Sequence, residues 1–110
     1  EGKLMCEETF SEFLAKKRDA RGYSNSRLAA LAGMSAVYLG EIVKNKKVPP
    51  DKKIQYALAV ALNLSEDERL RFYDLAASER GEIPIDVYDH LLESPELVKE
   101  IRAKKYVKEK

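Results

Sequence analysis

Side chains able to do chemistry are sparse in this chain. His90 is the only histidine and Cys6 the only cysteine. Neither has a partner at the spacing that metal ligation or nucleophilic catalysis demands, so hydrolase and metalloenzyme readings fail at the first step. A lone cysteine also excludes an intrachain disulfide, and no glycine-rich phosphate loop is present. Glu66-Asp67-Glu68 follows Ser65 and reads as negative charge at the positive end of a helix dipole, not as a metal site. No enzyme, cofactor or metal is therefore expected. What remains is cationic: Lys44, Lys46 and Lys47, just past a short apolar segment.

The net charge of +1 hides this polarity. Between Lys16 and Lys53 stand ten Lys and Arg against three Asp and Glu, a local charge of +7; all other residues together carry −6. A basic stretch on an otherwise acidic chain is the electrostatic footprint of a polyanion-binding surface.

The elements that must position these lysines are helices. Four prolines, five glycines and few β-branched runs leave no strand pattern, whereas helix starts and stops recur. Thr9-Phe10-Ser11-Glu12 is a capping box, followed by the stripe Phe10, Phe13, Leu14 and Lys17 and closed by Gly22. Ser24 caps a second helix through Leu28, Ala29, Leu31 and Ala32 to Gly33. Ser35 caps a third, Ala36 to about Lys44, with Leu39, Ile42 and Val43 as its apolar face and Asn45 as a left-handed terminator. Val48-Pro49-Pro50 is extended. Asp51 or Pro50 opens a fourth helix with Ile54, Ala57, Leu58 and Ala61 on one face, ended by Asn63. A second capping box, Ser65 to Glu68, starts a fifth that turns Leu70, Tyr73, Leu75 and Ala76 inward and stops near Gly81. Ile83-Pro84-Ile85 is a break, Asp86 to Leu92 a short helix, and Ser94-Pro95 the start of a last one bearing Leu97, Val98 and Ile101. Tyr23, Tyr56, Tyr73 and Tyr88 read as core or helix-contact residues, and Tyr106 to Lys110 as a fraying end.

The expected architecture is all-α: a compact five-helix domain over residues 8–81 and a helical extension over 82–110, too small to fold alone. No apolar run is long enough to span a membrane, and a soluble cytoplasmic domain is expected. Met5 could be a native start, with Glu1 to Leu4 foreign to it.

Ser24 to Pro50 carries the functional signal. Two short helices joined by Ala32-Gly33-Met34-Ser35, glycine second, are the mark of a helix-turn-helix, although a plain helical hairpin would share part of the pattern. Leu28-Ala29-x-x-Ala32-Gly33-Met34-Ser35-x-x-Tyr38-Leu39-x-x-Ile42, then Lys46-Lys47-x-Pro49, resembles the phage-repressor-type (Xre/Cro) family. The flanking helices agree over about residues 8 to 80, and the segment from Glu82 to Leu97 resembles a C-terminal extension of some small bacterial regulators of that family.

The resemblance implies a lambda-repressor-like fold and sequence-specific binding of double-stranded DNA by a transcriptional regulator, a repressor, acting as a homodimer. Helix 36–44 would lie in the major groove. Ala36 and Val37 would touch thymine methyls, Glu41 would accept from a cytosine amino group, and Tyr38 would reach a base or phosphate or else pack half-buried. Asn25, Ser35, Lys44, Lys46 and Lys47 would hold phosphates. Departures from the family are the absence of Arg, Gln and Asn on the reading face, Gly40 within the helix, Val43 in place of a common glutamate, and Asn45 in place of a frequent glycine. They keep an alternative open: a protein-interaction module, an antitoxin or adaptor, with weak or no DNA binding. A protein partner would then be held through residues 82–110; that segment, or the fifth helix, could instead pair with a second copy.

Overall fold

In the computed structural model, residues 8–107 are described. The readings made above for Glu1 to Cys6 and for Lys108 to Lys110 lie outside them. The described residues form seven helices and no strand: α1 (Phe10–Ala20), α2 (Asn25–Ala32), α3 (Ala36–Val43), α4 (Lys52–Ala61), α5 (Glu66–Arg80), α6 (Ile85–Leu92) and α7 (Pro95–Val107). None is long and apolar enough to cross a membrane by itself.

Local chemistry sets the helix ends. Thr9 and Glu12 exchange their two capping hydrogen bonds at 3.1 and 3.0 Å, and Ser65 and Glu68 do the same at 3.2 and 2.8 Å. Ser24, Ser35 and Asp51 each accept the backbone N–H three residues on. Gly22, Gly33 and Gly81 take left-handed backbone after their helices, as do Asn45 and Asn63, whose φ values are 63° and 52°. An L side chain in that region costs roughly 1 kcal/mol or more, less for asparagine, whose short amide bonds locally.

The core lies among α1 to α5. Phe10, Leu14, Leu28, Leu39, Ile42, Leu58 and Phe72 are fully buried there. Phe72 is the hub: its ring sits 4.9 Å from Phe10 and 6.0 Å from Phe13, centroid to centroid. The backbone N–H of Phe10 donates to Glu79 at 2.8 Å, tying the start of α1 to the end of α5.

Two helices present faces different from those expected. On α5 the packed residues are Phe72, Tyr73, Ala76 and Ala77, while Leu70 is 45% exposed and Leu75 only partly buried. At 100° per residue Phe72, Tyr73 and Ala76 share one sector, and Leu70 falls outside it. On α4 the buried face is Gln55, Leu58 and Ala59, continued by Leu62, with Ile54, Ala57 and Ala61 at its margins. A glutamine at the centre of a buried face gives no signal in a hydrophobicity pattern.

The extension packs as a chain of helices. Ile85 joins the core, α6 rests on α5, and α7 touches α6. Asp89 fastens α6 to α4 by accepting from the Tyr56 hydroxyl at 2.7 Å and from Lys52 at 3.0 Å. Tyr88 does not enter the core; it lies exposed, with the Lys52 ammonium 5.8 Å from its ring centre. Helix α7 runs on through Tyr106, which was expected to fray. Its last turn carries Lys104 and Lys105, cations that suit a helix C-terminus.

Two predictions concern stability. A Cβ on Gly40 would meet only Asn25 Nδ2, at an ordinary 3.7 Å, so Gly40→Ala should stabilise by up to about 1 kcal/mol in urea unfolding, and Gly33→Ala should destabilise by about as much. The Lys17 ammonium, 2.8 Å away, and the Ser65 N–H hold the Glu68 carboxyl down at about 2, against an ordinary 4.5. Its contribution to stability is therefore present above about 4.5 and lost as pH falls toward 2. Carboxyl NMR titration should show that low midpoint, and Lys17→Met should move it upward.

Candidate nucleic-acid interface

Helices α2 and α3 meet at a bend of 115° across Gly33-Met34-Ser35. Gly33 turns the chain at φ 72°, ψ 37°, and the Met34 N–H closes the cap on the Ala29 carbonyl at 3.0 Å. Ala29 is buried between the helices and Met34 packs against the core, as the joint requires. Leu39 and Ile42, both fully buried, mount α3 from beneath.

That mount decides which residues of α3 look outward. Val37 is 74% exposed, Ala36 is exposed, and Glu41 is partly covered. Spacings of four and three residues put Val37, Glu41 and Lys44 along one strip of the helix. Lys44, first read as a flank, thus continues the outward strip. Tyr38 leans the other way and is half-buried against the core. Gly40 turns toward Asn25 on α2.

Asn25 is held by Arg18, which in the sequence counts only toward the basic stretch. Arg18 Nη1 donates to Asn25 Oδ1 at 2.6 Å, and the same guanidinium grips Asp19 Oδ1 at 2.8 Å. Engaging the amide oxygen leaves the Asn25 NH2 group, a double donor, at the N-terminal end of α2. Ser35 at the start of α3 is exposed; its hydroxyl oxygen accepts from the Tyr38 N–H at 3.0 Å, which leaves the O–H proton free to donate.

Beyond α3 the chain is tied down in three places. Ser11 Oγ, buried on α1, donates to the Ile42 carbonyl at 2.7 Å, and the Asn45 side-chain oxygen lies 3.3 Å from the same hydroxyl. Asn45 in left-handed backbone lets the Lys46 N–H reach back to Glu41 at 2.8 Å. Then Arg80 Nη1 donates to the Pro49 carbonyl and Gln55 Nε2 to the Pro50 carbonyl, each at 2.8 Å. Both prolines are buried, so their carbonyls need partners within the protein, and these side chains supply them. Gln55 Oε1, the other end of that amide, is buried without a hydrogen-bond partner among the described residues.

Between those ties Lys46 and Lys47 are exposed. Among the described residues, no ion pair engages Lys44, Lys46 or Lys47. Arg80 is held above its ordinary pKa, first by the Glu82 carboxylate, with smaller help from Asp51 and the Tyr38 phenol. The arrangement offers a strip of one apolar side chain, one carboxylate and one ammonium group, with the ammonium groups of Lys46 and Lys47 beside it on a fixed backbone. It can lie in a groove and neutralise phosphates. Ser11, Arg18, Gln55 and Arg80 left no mark of these roles in the sequence, because their partners are distant in the chain or decided by packing.

A family profile described as helix-turn-helix matches residues 14–69 of the chain. No curated protein matches it, and no solved structure does.

Removing the Ser11 hydroxyl leaves the buried Ile42 carbonyl unpaired. Ser11→Ala should therefore lower stability by roughly 1–3 kcal/mol in urea unfolding while helical circular dichroism at low urea is unchanged.

Proposed function

This chain belongs to the helix-turn-helix family, whose members are DNA-binding regulators, and from that premise we propose that it is a sequence-specific transcriptional repressor that lays α3 in the major groove of double-stranded DNA. The observation that carries the reading is the outward strip of Val37, partly covered Glu41 and Lys44 on a helix anchored by the fully buried Leu39 and Ile42. Val37 and Ala36 would meet thymine methyls and Glu41 a cytosine amino group. Tyr38, being half-buried, would reach a phosphate at the groove edge rather than a base. Asn25, Ser35, Lys44, Lys46 and Lys47 would hold phosphates. Arg18 would hold the Asn25 amide oxygen and leave its NH2 group as the donor.

Residues 8–81 form the DNA-binding unit in this reading, and 82–110 the extension that pairs two copies into a homodimer. Leu92 on α6, 64% exposed, and the exposed Ile101 and Tyr106 on α7 support pairing. The same apolar face favours a second reading, a protein-interaction module of the antitoxin or adaptor kind.

Selection from a random duplex pool, followed by binding across salt concentrations, separates the two. A repressor that neutralises several phosphates loses affinity steeply as salt rises. Lys47→Glu should weaken binding to every duplex and reduce the salt slope by about 1 or more, whereas Val37→Ser or Glu41→Gln should change which sequence wins. If Lys47→Glu and Val37→Ser both leave binding as it was, the docking is wrong. Light scattering should show Leu92→Glu with Ile101→Glu shifting dimers to monomers, with α1 to α5 intact.

A further inference from the structure

Between the five-helix core and the extension lies a cleft of about 450 Å³, within the range of small-molecule sites. Lys52 stands at the start of α4 and Arg80 at the end of α5. Glu82 and Ile83 in the connection, with Ile85 and Tyr88 on α6, complete the lining. Ile83 and Tyr88 are apolar surface left half in solvent.

Arg80 already holds a carboxylate at the edge of this cleft. Its side chain is only 24% exposed, and it grips the Glu82 carboxylate side-on, Nε to Oε1 at 2.9 Å and Nη2 to Oε2 at 3.2 Å. Two parallel donors on two oxygens are the geometry of carboxylate selection. The occupant is a local one: Glu82 is 48% exposed, two residues along the chain and past Gly81, so it can swing into water without disturbing a helix. The third donor of the guanidinium holds the Pro49 carbonyl, next to the lysine loop. Lys52 supplies a second cation; one of its three N–H groups serves Asp89 and the side chain is half exposed.

We propose that the cleft binds an amphipathic organic carboxylate whose carboxylate group replaces that of Glu82 on Arg80 and whose aryl or hydrocarbon body lies over Ile83, Ile85 and Tyr88. The exchange leaves the charge around Arg80 unchanged, returns Glu82 to water and buries apolar surface on both partners. Because one guanidinium serves both the ligand and Pro49, occupation of the cleft is felt at Lys47 and Val48.

The test needs no DNA, so it is independent of the repressor reading. The full chain is titrated with 1-naphthylacetate and, separately, with the neutral 2-(1-naphthyl)ethanol, by calorimetry and amide NMR. Glu82→Gln, which weakens the internal competitor, should bind the carboxylate roughly tenfold tighter; Tyr88→Ala should bind it roughly tenfold weaker, and the neutral analogue should bind the parent chain roughly tenfold weaker than the acid does. The Lys47 and Val48 amide signals should shift on binding in the parent chain and stay in place in Arg80→Lys. No binding of the carboxylate, equal affinity for acid and alcohol, or no gain in Glu82→Gln would overturn the proposal. Carboxylate binding that leaves the Lys47 and Val48 signals unmoved would overturn its link to the loop.

Discussion

An eight-residue helix cannot hold itself together in water, and α3 is eight residues long. Everything around it answers that constraint. Leu39 and Ile42 supply the burial that propensity cannot, and Ser35 and Asn45 close the two ends. Its outward strip can then be chosen for what it meets, because none of the helix's stability has to come from there. Val37 illustrates this: a large apolar side chain, mostly in solvent, with no packing duty.

Firm mounting extends past the helix. Ser11 comes from α1, Gln55 from α4 and Arg80 from α5, and each ends on a carbonyl between Ile42 and Pro50. Two consecutive prolines make that segment stiff, and because they are buried their carbonyls take donors from side chains that reach in. The lysines stand on this fixed path while keeping their own freedom. That division suits phosphate contacts, which need charge at a set place more than a set rotamer.

Much of this was legible in the sequence where the cause is local. Capping boxes, left-handed terminators and the four-residue joint are decided by neighbours within a turn, so the helices and their order could be read directly. Long-range partners were not legible. Gln55 looks like a surface residue until α2 packs over α4, and Arg80 looks like one more basic side chain until Pro49 comes beside it. The inward face of α5 was misjudged because Leu70 and Phe72 are both apolar, and only the packing against Phe10 and Phe13 selects between them. Tyr38 was ambiguous for the reason now visible: it lies on the border between the outward strip and the core.

The Arg80 contact also imposes an order in time. A chain is made from its N-terminus, and local helices form far faster than residues are added. The pair α2 and α3 can coil and meet early, but Pro49 has no partner until thirty-one more residues have been made. The bond from Glu79 to the Phe10 N–H arrives within the same short interval. A nascent chain halted before that point would carry the reading helix with its loop untethered, so the surface acquires its final shape only when α5 is complete.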